Sequence, residues 1–479
     1  MNKHSTDQAK KPELLAALQQ LLAGMRGAFQ QERTYRRAQA LFVAELLVLG
    51  RHTITQLLRG LGLVTHDWSA WYRLFSEARF EEEAVAARLL QETLPHVPQQ
   101  RAYVITLDGV IVPRTGRHVA GSSWWRGQKT AAFRRGLQRG QRFVELAWLT
   151  PEEQSYCRAV PLRWLPAVTA KATPSIAEPC KEWEAGVAAL HWTRAQLDQQ
   201  GRAEQWLTAV VDGNYDVQAI WAELPARTVL VARTAKNRKL FALAPEPPEA
   251  PGPGRPALYG ERLPTPNDLL HRRQHRYWTT CTLLVRGRQR ELQYQVQGPC
   301  LLEGMPECPV FLVVVRGQNY WRGVHRRYRK PYYMLVNAVL REGEWQLPFP
   351  VPQLLAWAWQ RWECEVAHRE MKSAFGIGEK QCWSQRAALR SVQWGVWVYG
   401  TCLLAAYRAW GITGGPRRAG RWYPQARRWS FSSLWQAYRA ALWGERDFSP
   451  LYSRSLANWL KPELWLTGLG NALADPGRI

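Results

Sequence analysis

The sequence predicts an α/β fold, with a mixed-sheet core, a β-rich insertion and helical regions at both ends. Three observations predict it. Apolar residues keep a helical period to about residue 95 and then change to short β-favouring runs. From residue 100 the pattern reads as three strands, a helix, a strand, a helix and a strand. A Pro/Gly-rich stretch then separates this series from three more β-rich runs, and mostly helical sequence follows.

In the N-terminal part, Leu14, Leu15, Leu18, Leu21 and Leu22 recur at helical spacing, as do Leu41, Phe42, Leu46, Leu47 and Leu49. Thr53 to Arg59 reads as a short helix ended by Gly60 and Gly62. Asp67 is the candidate N-cap of a second helix running through Phe75. Two short helices around a glycine turn are compatible with a helix-turn-helix, whose second helix could enter a major groove; an ordinary helical bundle is the alternative.

The core begins with Tyr103 to Leu107, a β-favouring run leading into Asp108. Arg142 to Leu149 and Ala159 to Trp164 are the second and third strands, and a helix spans roughly 175–200. Leu207 to Val211 ends at Asp212, a short helix covers Ala219 to Leu224, and Thr228 to Arg233 is the fifth strand. That order matches a ribonuclease-H-like core. Residues 244–266, which include Gly254-Arg255-Pro256, read as a linker. The runs Trp278 to Val285, Glu291 to Gln297 and Val310 to Val315 suggest a small antiparallel inserted domain. The chain returns to a strand at Lys330 to Val336, and a helix is expected from Val351 to Phe375.

The charge balance narrows the partner. Lys and Arg number 64 against 39 Asp and Glu, a formal net charge of +25. Such a surface attracts polyanions, because each cation set on a phosphate releases a condensed counterion. A membrane is disfavoured: the apolar stretch Trp394 to Trp410 is broken by Gly395, Gly400, Thr401 and Arg408, and no secretory signal is seen at the N-terminus. Nucleic acid and a cytoplasmic, nucleoid-associated location are expected. None of the eight cysteines forms a C-x2-C pair, which argues against a zinc ribbon and for reduced thiols. Most of the 26 tryptophans should pack in the interior, with a minority able to stack on bases.

Three acids carry the chemistry. Asp108 and Asp212 each end an apolar strand and precede a glycine, which points them into the crevice where open α/β sheets bind ligands; turn formation by Asp-Gly is the competing explanation. On the helix near residue 365, Leu355, Trp359, Trp362 and Val366 form a stripe expected to bury. Arg361, Glu365, His368 and Lys372 form a polar ridge beside it.

The spacing Arg361-x3-Glu365-x6-Lys372 resembles the insertion-sequence DDE transposases, whose third acid lies in a Y-x2-R-x3-E-x6-K signature. The local R-W-x2-E, the G-R-P-x3-G-E-R-L linker and the run Leu107 to His118 (L-D-G-V-I-V-P-R-T-G-R-H) share the resemblance, which spans about residues 100–410. The signature Tyr is replaced by Ala358, between Trp357 and Trp359. The resemblance implies cleavage at transposon ends and strand transfer into target DNA. Two Mg2+ ions, or Mn2+ in their place, would be held by Asp108, Asp212 and Glu365. Arg361 and Lys372 would meet phosphate, with Arg114, Arg117 and His118 as further backbone contacts. Trp278 or Trp321 would pack internally or stack on a flipped base, and Asp216 would cap a helix rather than bind metal. A homodimer pairing two DNA ends is expected. The corresponding division is a helical DNA-end-binding region at 1–97, the first part of the core at 98–243, linker and β-rich insertion at 244–335, the rest of the core at 336–410, and a helical C-terminal region at 411–479.

Overall fold

The computed structural model describes residues 13–126, 136–245, 257–272, 275–322, 324–417 and 427–444. Residues 246–256 of the expected linker, with Gly254-Arg255-Pro256, and the C-terminal stretch 445–479 lie outside the described residues.

Five helices lead the chain: α1 (Leu14–Gly24), α2 (Glu32–Leu47), α3 (Ile54–Gly60), α4 (Ser69–Ser76) and α5 (Glu82–Thr93). The leucines of the expected stripe on α1 are all buried. Thr53 caps α3 by accepting the Gln56 N–H at 3.2 Å. Asp67 is not the N-cap of α4: Trp68 holds that position, and Asp67, one residue before it, accepts the Ser69 N–H at 2.9 Å. On α4, Trp71, Leu74 and Phe75 face inward and Tyr72 and Arg73 outward.

The core strands are β1 (Tyr103–Pro113), β2 (Ser122–Arg126), β3 (Leu137–Leu149), β4 (Ala159–Pro166), β5 (Leu207–Val211) and β6 (Thr228–Arg233). Helix α6 (Glu182–Gln199) precedes β5, and α7 (Gln218–Ala222) precedes β6. Every residue of β5 is buried, as in a parallel strand covered on both faces. Strands β1, β5 and β6 are parallel neighbours, and β3 is antiparallel to β1. Both β2 and β4 pair with successive halves of β3.

Short strands β7 (Leu240–Phe241) and β8 (Arg262–Leu263) and helix α8 (Pro266–Leu270) lead to β9 (Thr279–Val285), β10 (Arg288–Leu302) and β11 (Met305–Val315). A hairpin, β12 (Gln318–Arg322) with β13 (His325–Arg329), precedes β14 (Tyr332–Asn337). The β-rich runs do not form a separate sheet. Strand β14 pairs with β6, β11 with β14, and β10 with β11, so they extend the core sheet to twelve strands. The continuous apolar runs in β11 and β14 explain this: both strands are buried in the interior of a wide sheet.

The helix expected from Val351 to Phe375 divides at Arg361 into α9 (Val351–Gln360) and α10 (Trp362–Ser373). Glu363 and Glu370 anchor the back of α10. Arg428 grips Glu363 with two nitrogens at 2.8 and 3.0 Å, and the Tyr399 hydroxyl donates to Glu370 at 2.6 Å. Helix α11 (Gln385–Trp410), capped by Ser384, is buried along most of its length against β4 and the N-terminal helices; α12 (Phe431–Gly444) follows. No helix among the described residues is long and apolar enough to cross a membrane.

One buried ion cluster ties the N-terminal helices to this scaffold. Glu45 of α2 is fully buried and meets Lys380 Nζ at 2.6 Å, His52 Nδ1 at 2.6 Å and Trp394 Nε1 at 2.9 Å. Burial alone would raise the Glu45 pKa, but Lys380 and His52 outweigh it and hold the carboxyl below its ordinary value.

Candidate active site

Leu107 of β1 pairs with Val211 of β5 in parallel register, so Asp108 and Asp212 follow side by side on neighbouring strands. Adjacent strands lie about 4.8 Å apart, which brings these acids to one crevice although 104 residues separate them. Asp108 does not end its strand, as the Asp-Gly pattern suggested. Strand β1 runs on to Pro113, still paired with β3, and only the pairing with β5 stops here. Gly109 is therefore no turn residue. It lies under the carboxylate of Glu182 at the start of α6, where a β-carbon would collide. Asp212 does end β5 and accepts the Asn214 N–H at 2.9 Å.

Helix α10 crosses this crevice with its polar ridge turned inward. Arg361 spans two of the acids, with Nη1 3.5 Å from Asp108 Oδ2 and Nη2 3.0 Å from Glu365 Oε1. Glu365 is partly exposed, and His368 Nδ1 stands 4.0 Å from Asp108 Oδ2. Lys372 is at the surface, within electrostatic reach of Asp108 and Glu145. The apolar stripe differs from expectation at Trp362, whose ring is 48% exposed; the buried face instead carries Cys364, Ala367 and Met371.

Sequence reasoning missed three polar groups here. Glu145, directly opposite Asp108 on β3, is fully buried. Its Oε2 accepts from Cys364 Sγ at 3.0 Å and contacts His368 Nε2, while Oε1 has no partner among the described residues. A lone acid inside the apolar run of β3 was the available signal. Glu182, paired with Arg142, is the second. Tyr332 of β14 is the third, within electrostatic reach of Arg361 and Asp212; burial pushes its hydroxyl pKa up.

The electrostatics follow from crowding acids in a half-buried crevice. Burial pushes the Asp108 carboxyl up to about 6, against the pull of His368 and Arg361, and the charges of Asp212 and Glu145 add to the rise. Burial disfavours the charged form of His368, yet Glu145 and Asp108 outweigh it and hold the imidazole above its ordinary pKa. This donor set suits a hard divalent cation: carboxylate oxygens dominate, and the excess negative charge and the unpartnered Glu145 oxygen would both be relieved by one.

The other predicted contacts are placed variously. Arg114 is buried, and its guanidinium donates to Gln141 and to the carbonyls of Gly378, Lys380 and Ala388. It braces β1 against the turn before α11 and presents no donor to a phosphate. Arg117 and His118 are exposed beyond the end of β1. Trp278 is buried with its N–H on the Arg272 carbonyl, whereas Trp321 in the β12–β13 hairpin is 70% exposed. Asp216 does not cap α7, whose cap position is Val217. Its carboxylate instead accepts from Trp221 and Thr234 at 3.0 and 2.6 Å. Ala358 is half-buried against the apolar cluster beneath β5 and β6.

An acid-lined crevice at the edge of parallel strands, in a strongly basic chain, is the arrangement of a metal-dependent nuclease. The family model for the DDE superfamily endonuclease matches residues 20–291, more than half of the chain. The chain belongs to that family. Asp108 and Asp212 fall within the matched segment and Glu365 beyond it. No curated protein matches the sequence.

Proposed function

We propose that the protein is a DNA transposase that cuts at transposon ends and transfers the freed strand into target DNA. The observation that carries this reading is the side-by-side register of Asp108 and Asp212, with Arg361 linking Asp108 to Glu365. The strand order β4-β3-β1-β5-β6 supports a ribonuclease-H-like core. Asp108, Asp212 and Glu365 would hold two Mg2+ ions, or Mn2+ in their place. Bound there, such ions supply Lewis acidity to the attacking and leaving oxygens of an in-line displacement.

The chain's own residues set up the rest. Arg361 neutralises Asp108 and Glu365 and is positioned to turn its planar guanidinium to a scissile phosphate. Lys372 places a point charge at the crevice rim. Tyr332 provides near Arg361 the hydroxyl that Ala358 lacks. Arg117, His118 and the exposed face of α4 offer contacts to the DNA backbone. A homodimer would pair two ends, with residues 1–97 binding them.

The test is incubation of the full chain with labelled inverted-repeat DNA and Mg2+. Cleaved and joined products are expected. Cleavage without joining would reduce the protein to a simple nuclease, and binding without cleavage would overturn the catalytic reading.

A further inference from the structure

Helix α10 carries a second chemistry that the carboxylate reading does not use. Cys364 and His368 are four residues apart, one helical turn, so both side chains leave the same face of α10. Sulfur and imidazole donors at this spacing on a helix suit a transition metal, as two histidines at the same spacing do in zinc enzymes. Cys364 Sγ lies 3.8 Å from His368 Nε2, and across the crevice Asp108 Oδ2 lies 4.0 Å from His368 Nδ1. Among the described residues, Asp108, Cys364 and His368 bring one donor atom each within 4.8 Å of one another. With Zn–S near 2.3 Å and Zn–N near 2.0 Å, a tetrahedral site needs its donor atoms roughly 3.3–3.6 Å apart. The 3.8 Å contact is to Nε2, which Glu145 holds, so Nδ1 is the ligating atom and closure needs the Cys364 side chain to rotate toward it.

The surroundings favour closure. Glu145 contacts His368 Nε2, which leaves Nδ1 turned to Asp108, the carboxylate–histidine arrangement that supports a metal-bound imidazole. Cys364 is fully buried and His368 nearly so. Magnesium has little affinity for sulfur and nitrogen donors, whereas zinc and cobalt prefer them.

We propose that Asp108, Cys364 and His368 form a binding site for a softer divalent metal of the zinc class, overlapping the hard-cation site at Asp108, so that such an ion blocks cutting. When it binds, the Cys364 S–H bond breaks and the sulfur–metal bond forms. The thiol proton, and any proton on His368 Nδ1, leave to water as the metal bonds form, so Glu145 stays ionised and keeps the His368 Nε2–H. The block on cutting rests on the transposase reading; the binding itself does not.

Cobalt(II) alone, titrated into the full-length protein, tests the binding. One equivalent should produce a thiolate-to-cobalt charge-transfer band and intense tetrahedral visible absorption. Cys364→Ser should abolish the charge-transfer band and His368→Asn should weaken binding at least tenfold, while Asp212→Asn and Glu365→Gln retain both signals. Because seven other cysteines are free, a band that persists in Cys364→Ser puts the metal elsewhere and overturns the proposal. So does the absence of any band in the parent. Circular dichroism of each variant checks folding, and should Cys364→Ser misfold, Cys364→Ala is used for the same reading. In a cleavage assay with excess Mg2+, zinc should inhibit the parent reversibly to chelator, and Cys364→Ser should need at least ten times more zinc. Cutting unaffected by zinc overturns the overlap; a protein that never cuts fails the transposase reading and leaves the cobalt band to decide the site.

Discussion

The carboxylate of Glu182 rests where the side chain of residue 109 would begin, and Gly109 alone allows it to lie over β1. Gly109→Ala should therefore push Glu182 off the strand and destabilise the fold by up to about 1 kcal/mol, since the displaced atoms are the far end of a flexible side chain. Adding Glu182→Ala should restore most of that loss. Denaturant unfolding of the two variants checks it, and a Gly109→Ala protein as stable as the parent would contradict the packing.

The three acids differ in what surrounds them but should share one phenotype. Asp108→Asn, Asp212→Asn and Glu365→Gln are each expected to reduce cleavage more than about a hundredfold, beyond the 10–100-fold typical of residues that only support a metal ligand. DNA binding should persist in all three. A gel-shift assay beside the cleavage assay separates these outcomes, and loss of binding would give the acids a structural role instead.

Tyr332 is expected to stand in for the hydroxyl missing at Ala358. Tyr332→Phe should lower cleavage roughly tenfold with unchanged stability, the scale of one lost polar contact at about 1.4 kcal/mol per decade. If Tyr332→Phe cuts as fast as the parent, that role falls.

Glu45 should make the protein acid-sensitive. Its carboxyl is held below the ordinary 4.5 by Lys380 and His52, so its contribution is present above that pH and lost as pH falls below it. Lys380→Met leaves the buried Glu45 without its cation and should cost about 3–5 kcal/mol. Glu45→Gln should flatten stability between neutral and acid pH compared with the parent. Thermal unfolding across pH reads both effects.

The β12–β13 hairpin carries Arg326, Arg327 and Arg329 among exposed Tyr320, Trp321 and Tyr328. If it lies on DNA, Arg326→Ala with Arg327→Ala should reduce the salt slope of binding by up to about 2, near 0.9 for each phosphate contact. An unchanged slope would remove the hairpin from the DNA surface.

Much of this architecture was legible in the sequence because strand periodicity is local. The runs ending at Val211 and Arg233 match β5 and β6 to the residue. What escaped was non-local. Glu145 looks like one charge in an apolar strand until the β1–β3 register sets it opposite Asp108. The Asp-Gly pair at 108–109 reads as the end of a strand, and only the position of Glu182 explains the glycine. Arg114 reads as a surface cation because nothing nearby in sequence reveals the carbonyls, more than 260 residues away, that it serves. The inserted β runs carry no mark of which sheet they join.

That shared sheet also bears on synthesis. The outer edge of β6 is closed by β14, about a hundred residues further along the chain. At roughly 5–20 residues per second, a ribosome leaves that apolar edge without its neighbour for about 5–20 seconds. During that interval the nascent chain presents an open row of amides and carbonyls, which is the species a holding chaperone would be expected to shelter.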